Sequence, residues 1–324
     1  MKQPAVIGID LGGTNCRGAL VGEDGKLRFQ RGMDTAIDEG LDSFWARFLI
    51  FCRALVSQGE QQGYSVDGLG LGFPGLVAKD GSVRVSPNLG PLNDFALTDR
   101  LTRELQLPVK VVNDANAIAL GEARWGAGQA FDSFVMVTLG TGVGGGMIFN
   151  RQIWDGADGA AGEVGHIAVE PAGRVCGCGS HGCLEQYASG SALVRTYREL
   201  LKNTVENGDK ASIQIRSAEE VAAAALSGDP AALGAFESAG CYLGQVLAGI
   251  ANLLNLDAAV IGGGVSANFD LLMPSLRAEM DKRAFAVTGR RMKVVPAVLG
   301  DSAGILGAAL VVREMLQKAQ LDKL

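Results

Sequence analysis

The sequence has no excess of basic residues and no long uninterrupted apolar segment. Its 324 residues include 29 Lys and Arg against 35 Asp and Glu, which gives a formal net charge of -6. Nonspecific nucleic-acid binding relies on basic surface that displaces counterions, so this balance argues against nucleic acid as a partner. The longest apolar region, residues 243–265, is broken by Gln245, Asn252, Asn255, Asp257 and a triple glycine. No segment offers the roughly 20 apolar residues of a membrane span, and we expect no membrane partner.

Histidine and cysteine are scarce, with two and six residues in the whole chain. Cys176, Cys178 and Cys183 cluster, whereas the other three cysteines stand alone. A disulfide framework would distribute cysteines in pairs along a short secreted chain. The first residues also lack the apolar core and small-residue cleavage site of a secretory signal. We therefore expect a reduced, cytoplasmic protein with one metal site.

Glycine, in contrast, is abundant. The chain has 46 glycines, about twice the usual share of roughly 7%. Such an excess predicts many tight turns or close backbone approaches, as phosphate-binding loops require. With 48% hydrophobic and 20% charged residues, the chain is globular, and its length suggests two domains.

A similar pattern opens each half of the chain. In the first, an apolar run at 5–9 leads into DLGGTN at 10–15 and a second apolar run at 16–21. In the second, residues 134–139 lead into GTG at 140–142 and a returning run at 143–149. We interpret the two segments as a duplicated β-hairpin, each copy presenting backbone N–H groups at its turn.

The remaining pattern alternates strands with helices, which predicts the α/β class. Apolar spacing predicts helices at 41–57, 95–107, after Asp114, at 191–202, 218–226 and 231–254, and at the carboxyl terminus. Strands are predicted at 69–73, 82–86, 109–112, 258–261 and 293–296.

Three glycine-rich turns follow predicted strands, at 10–14, 139–146 and 262–264. Glycines let the backbone approach phosphate oxygens, to which N–H groups and threonine hydroxyls can donate. None has the lysine of a P-loop, and the G-x-G-x-x-G string at 140–145 precedes a strand-like run instead of a helix. A dinucleotide site is therefore disfavoured. The alternative is that these segments are tight turns only.

Asn113 and Asp114 end a predicted strand just before a predicted helix. A carboxylate at this position can take a hydroxyl proton while the neighbouring carboxamide holds the substrate. Phosphoryl transfer needs little more than one base, a metal ion and good positioning. The alternative is that Asp114 only caps the following helix, which is a common role.

A metal-binding pattern occupies the middle of the chain. Cys176, Cys178 and Cys183 have the spacing C-x-C-x4-C, and His166 precedes them by ten residues. This set predicts a structural Cys3His zinc site, which leaves no open coordination position for water. His181 is the rival ligand, but its position two residues before Cys183 strains its reach.

Five motifs together carry a family resemblance. They are DLGGT at 10–14, NDAN at 113–116, LGTGVGGG at 139–146, EVGH at 163–166 and CGCG with GCLE between 176 and 185. In this order they make the chain similar to the ROK family (repressor, open reading frame, kinase), and most of all to its bacterial glucokinases. The resemblance covers almost the whole length.

The resemblance implies a two-lobed sugar kinase/actin-like (ribonuclease H-like) fold with a central cleft and a duplicated β-core. It implies a small lobe of residues 1–112 with 304–324, and a large lobe of 113–303 that carries the zinc knuckle. It also implies that the terminal helix packs on the small lobe.

The resemblance further implies a role for particular residues. Asp114 falls at the catalytic base, which takes the proton of the sugar 6-hydroxyl as that hydroxyl attacks the γ-phosphoryl of ATP. The sugar contacts fall at Asn88, Asn113, Asp114, Glu163, His166 and Glu185. The positions for ATP, with Asp10 orienting Mg²⁺ through water, fall at Asp10, Gly12, Gly13, Thr14, Asn15, Gly140, Thr141, Gly142, Gly262, Gly263 and Gly264. His166 would hold zinc with one ring nitrogen and a sugar hydroxyl with the other.

We therefore expect an ATP:hexose 6-phosphotransferase, with glucose as the favoured substrate. N-acetylglucosamine, mannose, fructose and allose remain alternatives, as does a sugar-responsive regulator or sensor. Repressors of this family carry a DNA-binding domain ahead of the kinase-like part, whereas here the phosphate turn begins at Asp10. The family also suggests a homodimer or homotetramer, and a place in glycolysis.

Overall fold

The computed structural model describes residues 2–204 and 215–322, where strands alternate with helices. The chain divides into two compact units. Unit 1 consists of Met1–Asp132, Gly146–Gly162 and Val298–Leu324, and unit 2 of Ser133–Gly145 and Glu163–Ala297. The predicted α/β class is confirmed.

The first sheet has five strands in the order β3-β2-β1-β4-β7. They are β1 (Gln3–Leu11), β2 (Asn15–Gly22), β3 (Leu27–Asp34), β4 (Tyr64–Phe73) and β7 (Val109–Asn113). β1 and β2 form the predicted antiparallel hairpin, and β4 runs parallel to both β1 and β7. A short hairpin, β5 (Leu76–Val77) with β6 (Val83–Val85), follows β4.

Helices accompany the first sheet on both faces. They are α1 (Leu41–Gln61), α2 (Leu97–Leu105), α3 (Asp114–Trp125) and α10 (Ser302–Leu321). Because side chains alternate along a strand, Ile7 and Ile9 of β1 join a core with the aromatic rings of α1, whereas Val6 joins a cluster with Ile305 of α10. Gly8 permits this close approach, since a side chain there would overlap the Ile305 carbonyl.

The second sheet has the order β10-β9-β8-β11-β12. Its strands are β8 (Phe134–Leu139), β9 (Val143–Phe149), β10 (Gln152–Ile153), β11 (Ala258–Gly262) and β12 (Lys293–Pro296). β11 runs parallel to β8 and β12. The helices of unit 2 are α4 (Glu185–Ala188), α5 (Gly190–Thr204), α6 (Ala218–Leu226), α7 (Pro230–Leu254), α8 (Phe269–Arg283) and α9 (Ala286–Arg291). Within residues 2–204 and 215–322, no helix combines the length and apolarity that crossing a membrane requires.

Most predicted elements are confirmed, with differences at their ends. The predicted strands at 134–139, 143–149 and 293–296 and the helix at 218–226 have the observed bounds. α1 continues to Gln61, four residues beyond the prediction, and α2 stops early because Gln106 adopts a left-handed φ of 53°. β9 begins inside the G-x-G-x-x-G string, so a strand and not a helix follows it, as the sequence indicated.

The lobe boundaries expected from the sequence stay a prediction, and Met1 and residues 323–324 lie outside the described residues. Unit 1 contains the expected small lobe and also residues 113–132, 146–162 and 298–303. One reason is that α3 packs against α10. In addition, the buried Glu122 carboxylate of α3 accepts the backbone N–H groups of Val298 and Leu299, at 3.1 and 2.9 Å.

Candidate active site

The turn at 10–15 of unit 1 joins β1 to β2 and is held by backbone hydrogen bonds. The Gly12 N–H donates to the Asn15 carbonyl at 2.8 Å, and the Thr35 hydroxyl donates to the Gly12 carbonyl at 2.8 Å. A cavity of about 250 Å³ lies at this turn, lined by Asp10, Gly12, Thr14, Asn15 and Arg17. Gly13 lies against Asn88, since a methyl group at 13 would sit 3.0 Å from Asn88 Cβ. The structure thus brings the first predicted phosphate turn together with Asn88.

Asp10 is largely buried and has both a positive and a negative side chain, Arg17 and Asp301, as neighbours. Burial raises the pKa of its carboxyl to about 6, Arg17 lowers it, and Asp301 raises it further. Arg17 pairs with Asp10 across the β1–β2 ladder and forms an ion pair with Asp301. α10 begins beside this carboxylate, because a methyl group at Gly304 would lie 2.8 Å from Asp10 Cγ. Asp10 therefore faces a cation and the positive end of a helix, both of which suit polyanionic ligands.

Asn113 and Asp114 lie where β7 ends and α3 begins. Asn113 is the N-cap of α3: its Oδ1 accepts the Asn116 N–H at 3.0 Å, and its Nδ2 donates to the Gly75 carbonyl at 3.0 Å. Asp114 is the first helical residue, and its Oδ1 accepts the Ala115 N–H at 2.8 Å. The capping role suggested as the alternative for Asp114 thus belongs mainly to its neighbour.

The Asp10 and Asp114 residues approach one another beside Gly72 of β4. A methyl group at Gly72 would lie 3.7 Å from Asp10 Oδ1 and 3.6 Å from Asp114 Cα. Asp10 is near the end of β1 and Asp114 follows β7, the two strands that flank β4 in one sheet; strand ends of this kind are a common location for functional groups in α/β proteins. Unit 1 therefore combines a phosphate-type turn with two carboxylate-bearing residues.

The turn at 140–142 of unit 2 is braced by the start of α5. The Gly140 N–H donates to the Gly142 carbonyl at 2.9 Å, and the Gly190 N–H donates to the Gly140 carbonyl at 2.8 Å. The Ser191 hydroxyl donates to the Thr141 carbonyl at 3.1 Å. These bonds fix a second phosphate-type turn at the amino end of a 15-residue helix.

A cavity of about 570 Å³ adjoins this turn, lined by Gly140, Thr141, Gly190, Ser191, Val194, Arg198, Arg216, Ser217, Ala218, Glu219, Gly264 and Val265. Of the three consecutive glycines, only Gly264 lines it. Gly262 is packed against Met136, and Gly263 has a φ of 85° and touches the Leu139 backbone. These two glycines therefore allow close packing on β8, whereas Gly264 opens the cavity wall.

The predicted metal ligands form one cluster. The ligating atoms of His166, Cys176, Cys178 and Cys183 all lie within 4.8 Å of one another. Cys176 Sγ is 3.7 Å from His166 Nδ1, and Cys178 Sγ is 3.6 Å from Cys183 Sγ. A tetrahedron with metal–sulfur bonds of about 2.3 Å has edges of about 3.8 Å, so the donor set fits Zn²⁺. His181 is not part of this cluster.

Two candidate sugar ligands adjoin the metal cluster. His166 Nε2, the ring nitrogen opposite the cluster, lies 3.9 Å from Glu163 Oε2. Glu185 Oε1 lies 3.9 Å from Cys176 Sγ, and its Oε2 accepts the Val143 N–H at 3.1 Å. Burial raises the pKa of Glu163, His166 opposes that shift, and Glu185 adds to it. The three side chains form a polar group suited to directed hydrogen bonds with a polyol.

Sequence reasoning missed five charged residues that line or border the two cavities. Arg17 and Asp301 adjoin Asp10, and Arg198, Arg216 and Glu219 line the larger cavity. Arg17 could have been found, because it lies opposite Asp10 in the predicted hairpin. The others lie on helices distant in sequence or just before them, and their positions depend on tertiary packing.

Residues 6–315 match the ROK family. The chain is 36% identical to a glucokinase of Thermotoga maritima over 98% of its own length and 99% of that protein. It is 32% identical to a putative xylose repressor of Caldicellulosiruptor, over 96% of this chain and 79% of that protein.

A solved ROK glucokinase from Streptomyces griseus, in complex with glucose and AMPPNP, superposes with a TM-score of 0.79 at 35% identity. The match covers 96% of this chain and 99% of that one. The expected actin-like sugar kinase fold is thereby confirmed. With a family match over nearly the full length and these relatives, the chain belongs to the ROK family.

Proposed function

We propose that this protein transfers the γ-phosphoryl group of ATP to the 6-hydroxyl of glucose. The observation that carries the proposal is the approach of Asp10, the first residue of the DLGGT turn, and Asp114 beside Gly72 of β4. Phosphoryl transfer depends on positioning and electrostatic stabilisation, and these residues supply a base beside a phosphate-type turn. The similarity to proteins named glucokinase, at 33–36% identity, supports the reaction and favours glucose.

Asp114 acts as the base in this proposal. Its carboxylate accepts the proton of the 6-hydroxyl as the oxygen attacks the γ-phosphorus. The bond from that oxygen to phosphorus forms, the bond from the γ-phosphorus to the bridging oxygen breaks, and ADP leaves. Asn113, fixed by its cap and by its bond to Gly75, holds the sugar beside the base.

The remaining sugar contacts are those that the family resemblance implies. They are Asn88, Asn113, Glu163, His166 and Glu185, whose side chains would accept hydrogen bonds from the sugar hydroxyls or donate to them. Because these carboxylates and rings are held by neighbours, they discriminate hydroxyl positions better than an apolar wall would. Cys176, Cys178, Cys183 and His166 Nδ1 would hold a structural Zn²⁺, which fixes the tautomer of His166.

The nucleotide is assigned to the two glycine-threonine turns and the larger cavity. The turns, at 12–15 and 140–142, would donate backbone N–H groups and hydroxyls to the phosphates. Asp10 would orient Mg²⁺ through water, and at pH above 6 its carboxyl is ionised for that role. Mg²⁺, when bound, neutralises charge on the β- and γ-phosphates. The cavity beside Gly264 has room for the nucleoside.

The similarity to a xylose repressor makes a sugar-responsive regulator the second candidate. The two candidates share sugar binding and differ in turnover. The presence of Asp10, Thr14 and Asp114 favours the kinase, because a sensor needs neither a phosphate turn nor a base. The cytoplasmic location and a homodimer or homotetramer stay predictions.

The experiment that tests the proposal is an ADP-release assay with Mg·ATP and a panel of hexoses. The panel contains glucose, mannose, N-acetylglucosamine, fructose and allose, and calorimetry measures the binding of each. We expect the highest kcat/KM with glucose. Highest turnover with another sugar keeps the kinase and replaces the substrate, whereas binding without ADP release supports the regulator.

A further inference from the structure

The walls of the larger cavity of unit 2 differ in the charge they present to a ligand. The turn residues Gly140 and Thr141 and the amino end of α5 at Gly190 line one side, where backbone N–H groups and the helix dipole favour anions. The carboxylate of Glu219 lines another part of the wall. Arg198 and Arg216 also line the cavity and attract phosphate, whereas the carboxylate of Glu219 repels phosphate and suits a neutral portion of the ligand that carries hydrogen-bond donors.

The two adjacent glutamates in the first turn of α6, Glu219 and Glu220, make different contacts. Glu220 closes a capping box: its carboxylate accepts the Ser217 N–H at 3.3 Å, and its own N–H donates to Ser217 Oγ at 3.3 Å. Glu219 instead lies on the cavity wall. A hydrogen bond from the Ser217 hydroxyl lowers the pKa of Glu219, so its carboxylate stays ionised at neutral pH.

The position of Glu219 along the cavity is set by its neighbours. A methyl group at Gly190 would lie 3.2 Å from the Gly140 carbonyl oxygen and 3.2 Å from Ala218 Cβ, so the start of α6 adjoins the phosphate turn. Glu219 Oε1 lies 4.0 Å from the position of a methyl group at Gly264. The carboxylate therefore lies beside Gly264 in the cavity that the phosphate turn also lines, where the sugar that follows the phosphates of a nucleotide would lie.

We propose that Glu219 accepts hydrogen bonds from the ribose hydroxyls of the bound nucleotide and makes the enzyme selective for ribonucleotides. The inference rests on the proposed use of ATP, and it adds the residue that reads the sugar of the donor. A carboxylate is the side chain best suited to two adjacent hydroxyl donors, since both oxygens accept and the bonds are charge-assisted. A ligand that lacks one hydroxyl leaves that acceptor unpaired.

The test measures the affinity of the full-length protein for nucleotides by calorimetry, which needs no hexose. The ligands are the Mg²⁺ complexes of ATP, 2′-deoxy-ATP, 3′-deoxy-ATP and ITP. We expect at least one deoxynucleotide to bind about tenfold more weakly than ATP. Glu219→Gln should weaken ATP binding by a similar factor and abolish most of that difference. ITP keeps both ribose hydroxyls and changes the base alone, so Glu219→Gln should weaken its binding by the same factor as that of ATP.

Glu237→Gln is the matched control, because Glu237 is an exposed glutamate of unit 2 on α7 that does not line the cavity. Thermal unfolding and circular dichroism establish that each variant is folded. Glu219→Asp, which keeps the charge but shortens the side chain, should retain part of the discrimination.

Three results would overturn the inference. They are equal affinity of the unchanged protein for ATP and both deoxynucleotides, discrimination that survives Glu219→Gln, and an effect of Glu219→Gln confined to ITP. Absence of any nucleotide binding would reject this inference together with the use of ATP. Ribose discrimination without hexose-dependent ADP release would support Glu219 while rejecting the proposed kinase activity.

Discussion

The Glu185 carboxylate accepts a hydrogen bond from the backbone N–H of Val143, at 3.1 Å. Its other oxygen lies 3.9 Å from Cys176 Sγ. One side chain therefore contacts both the turn at 140–142 and the Cys3His cluster. Within unit 2, a change in the turn or loss of the metal should therefore alter the position of the same carboxylate.

Gly142→Ala should weaken hexose binding. The added methyl group would overlap Glu185 Oε2, so the carboxylate must move and lose its bond to Val143. We expect the KM for glucose to rise about tenfold, as loss of one charged hydrogen bond implies. Gly249→Ala is the control, because a methyl group there meets no atom within 4 Å. An unchanged KM in Gly142→Ala would show that Glu185 does not bind the sugar.

Asp114→Asn should preserve the fold and sugar binding while reducing kcat by about 10²- to 10⁴-fold, the usual contribution of a general base. Steady-state kinetics and glucose calorimetry measure the two effects separately. Asp99→Asn is the control, because Asp99 also lies in the first turn of a helix, α2, and is exposed. Turnover of Asp114→Asn within tenfold of the unchanged enzyme would remove Asp114 as the base.

Cys178→Ser should release zinc and lower the melting temperature, because metal binding and folding are coupled in such sites. Elemental analysis should find about one zinc per chain in the unchanged protein and little in the variant. Cys241→Ser is the control, since Cys241 lies on α7 outside the cluster. Full zinc content in Cys178→Ser would reject this ligand set.

Asp10→Asn should stabilise the protein at neutral pH and less so in acid. The folded-state pKa of Asp10, about 6, exceeds the usual value near 3.8. The free energy of unfolding that this group contributes is therefore fully present below about pH 4 and falls as the pH rises to about 6. The advantage of the variant should grow over the same interval to at most about 3 kcal/mol.

Denaturant unfolding of both proteins between pH 4 and 8 measures this difference, and the titrating groups distant from Asp10 cancel. A constant difference across the range would contradict the raised pKa. Phosphoryl transfer should meanwhile fall in the variant, since Asp10 is the proposed Mg²⁺-orienting group. A substitution that increases stability and decreases activity is typical of a residue whose position serves function at a cost in stability.

Glu122→Ala should destabilise the protein by about 3–5 kcal/mol. The carboxylate is fully buried and accepts three backbone N–H groups, those of Ala127, Val298 and Leu299. Truncation would leave those donors unpaired and a cavity beside them. Glu104→Ala, which removes an exposed ion pair with Arg53, should cost less than about 1 kcal/mol. Similar midpoints for the two variants would contradict the structural role of Glu122.

The hairpins, the metal ligands and most elements could be predicted from sequence because they depend on local patterns. Residues 134–149 show the strand, turn and strand in order, and the cysteines lie within eight positions of one another. The cap of α3 could not be assigned between Asn113 and Asp114, since both side chains suit the role. Geometry resolved it, because Asn113 Oδ1 accepts the Asn116 N–H, three residues on, and Asp114 is the first residue of the helix itself.

The sequence by itself determined the α/β class, the two glycine-threonine turns and the Cys3His pattern, since each is encoded by residues close together in the chain. Only the tertiary structure placed Asp301 beside Arg17, 284 positions away, and Glu219 in the cavity next to Gly140. These neighbours meet because helices pack onto sheets through their apolar faces. That packing depends on the combined fit of many side chains, which no single motif records.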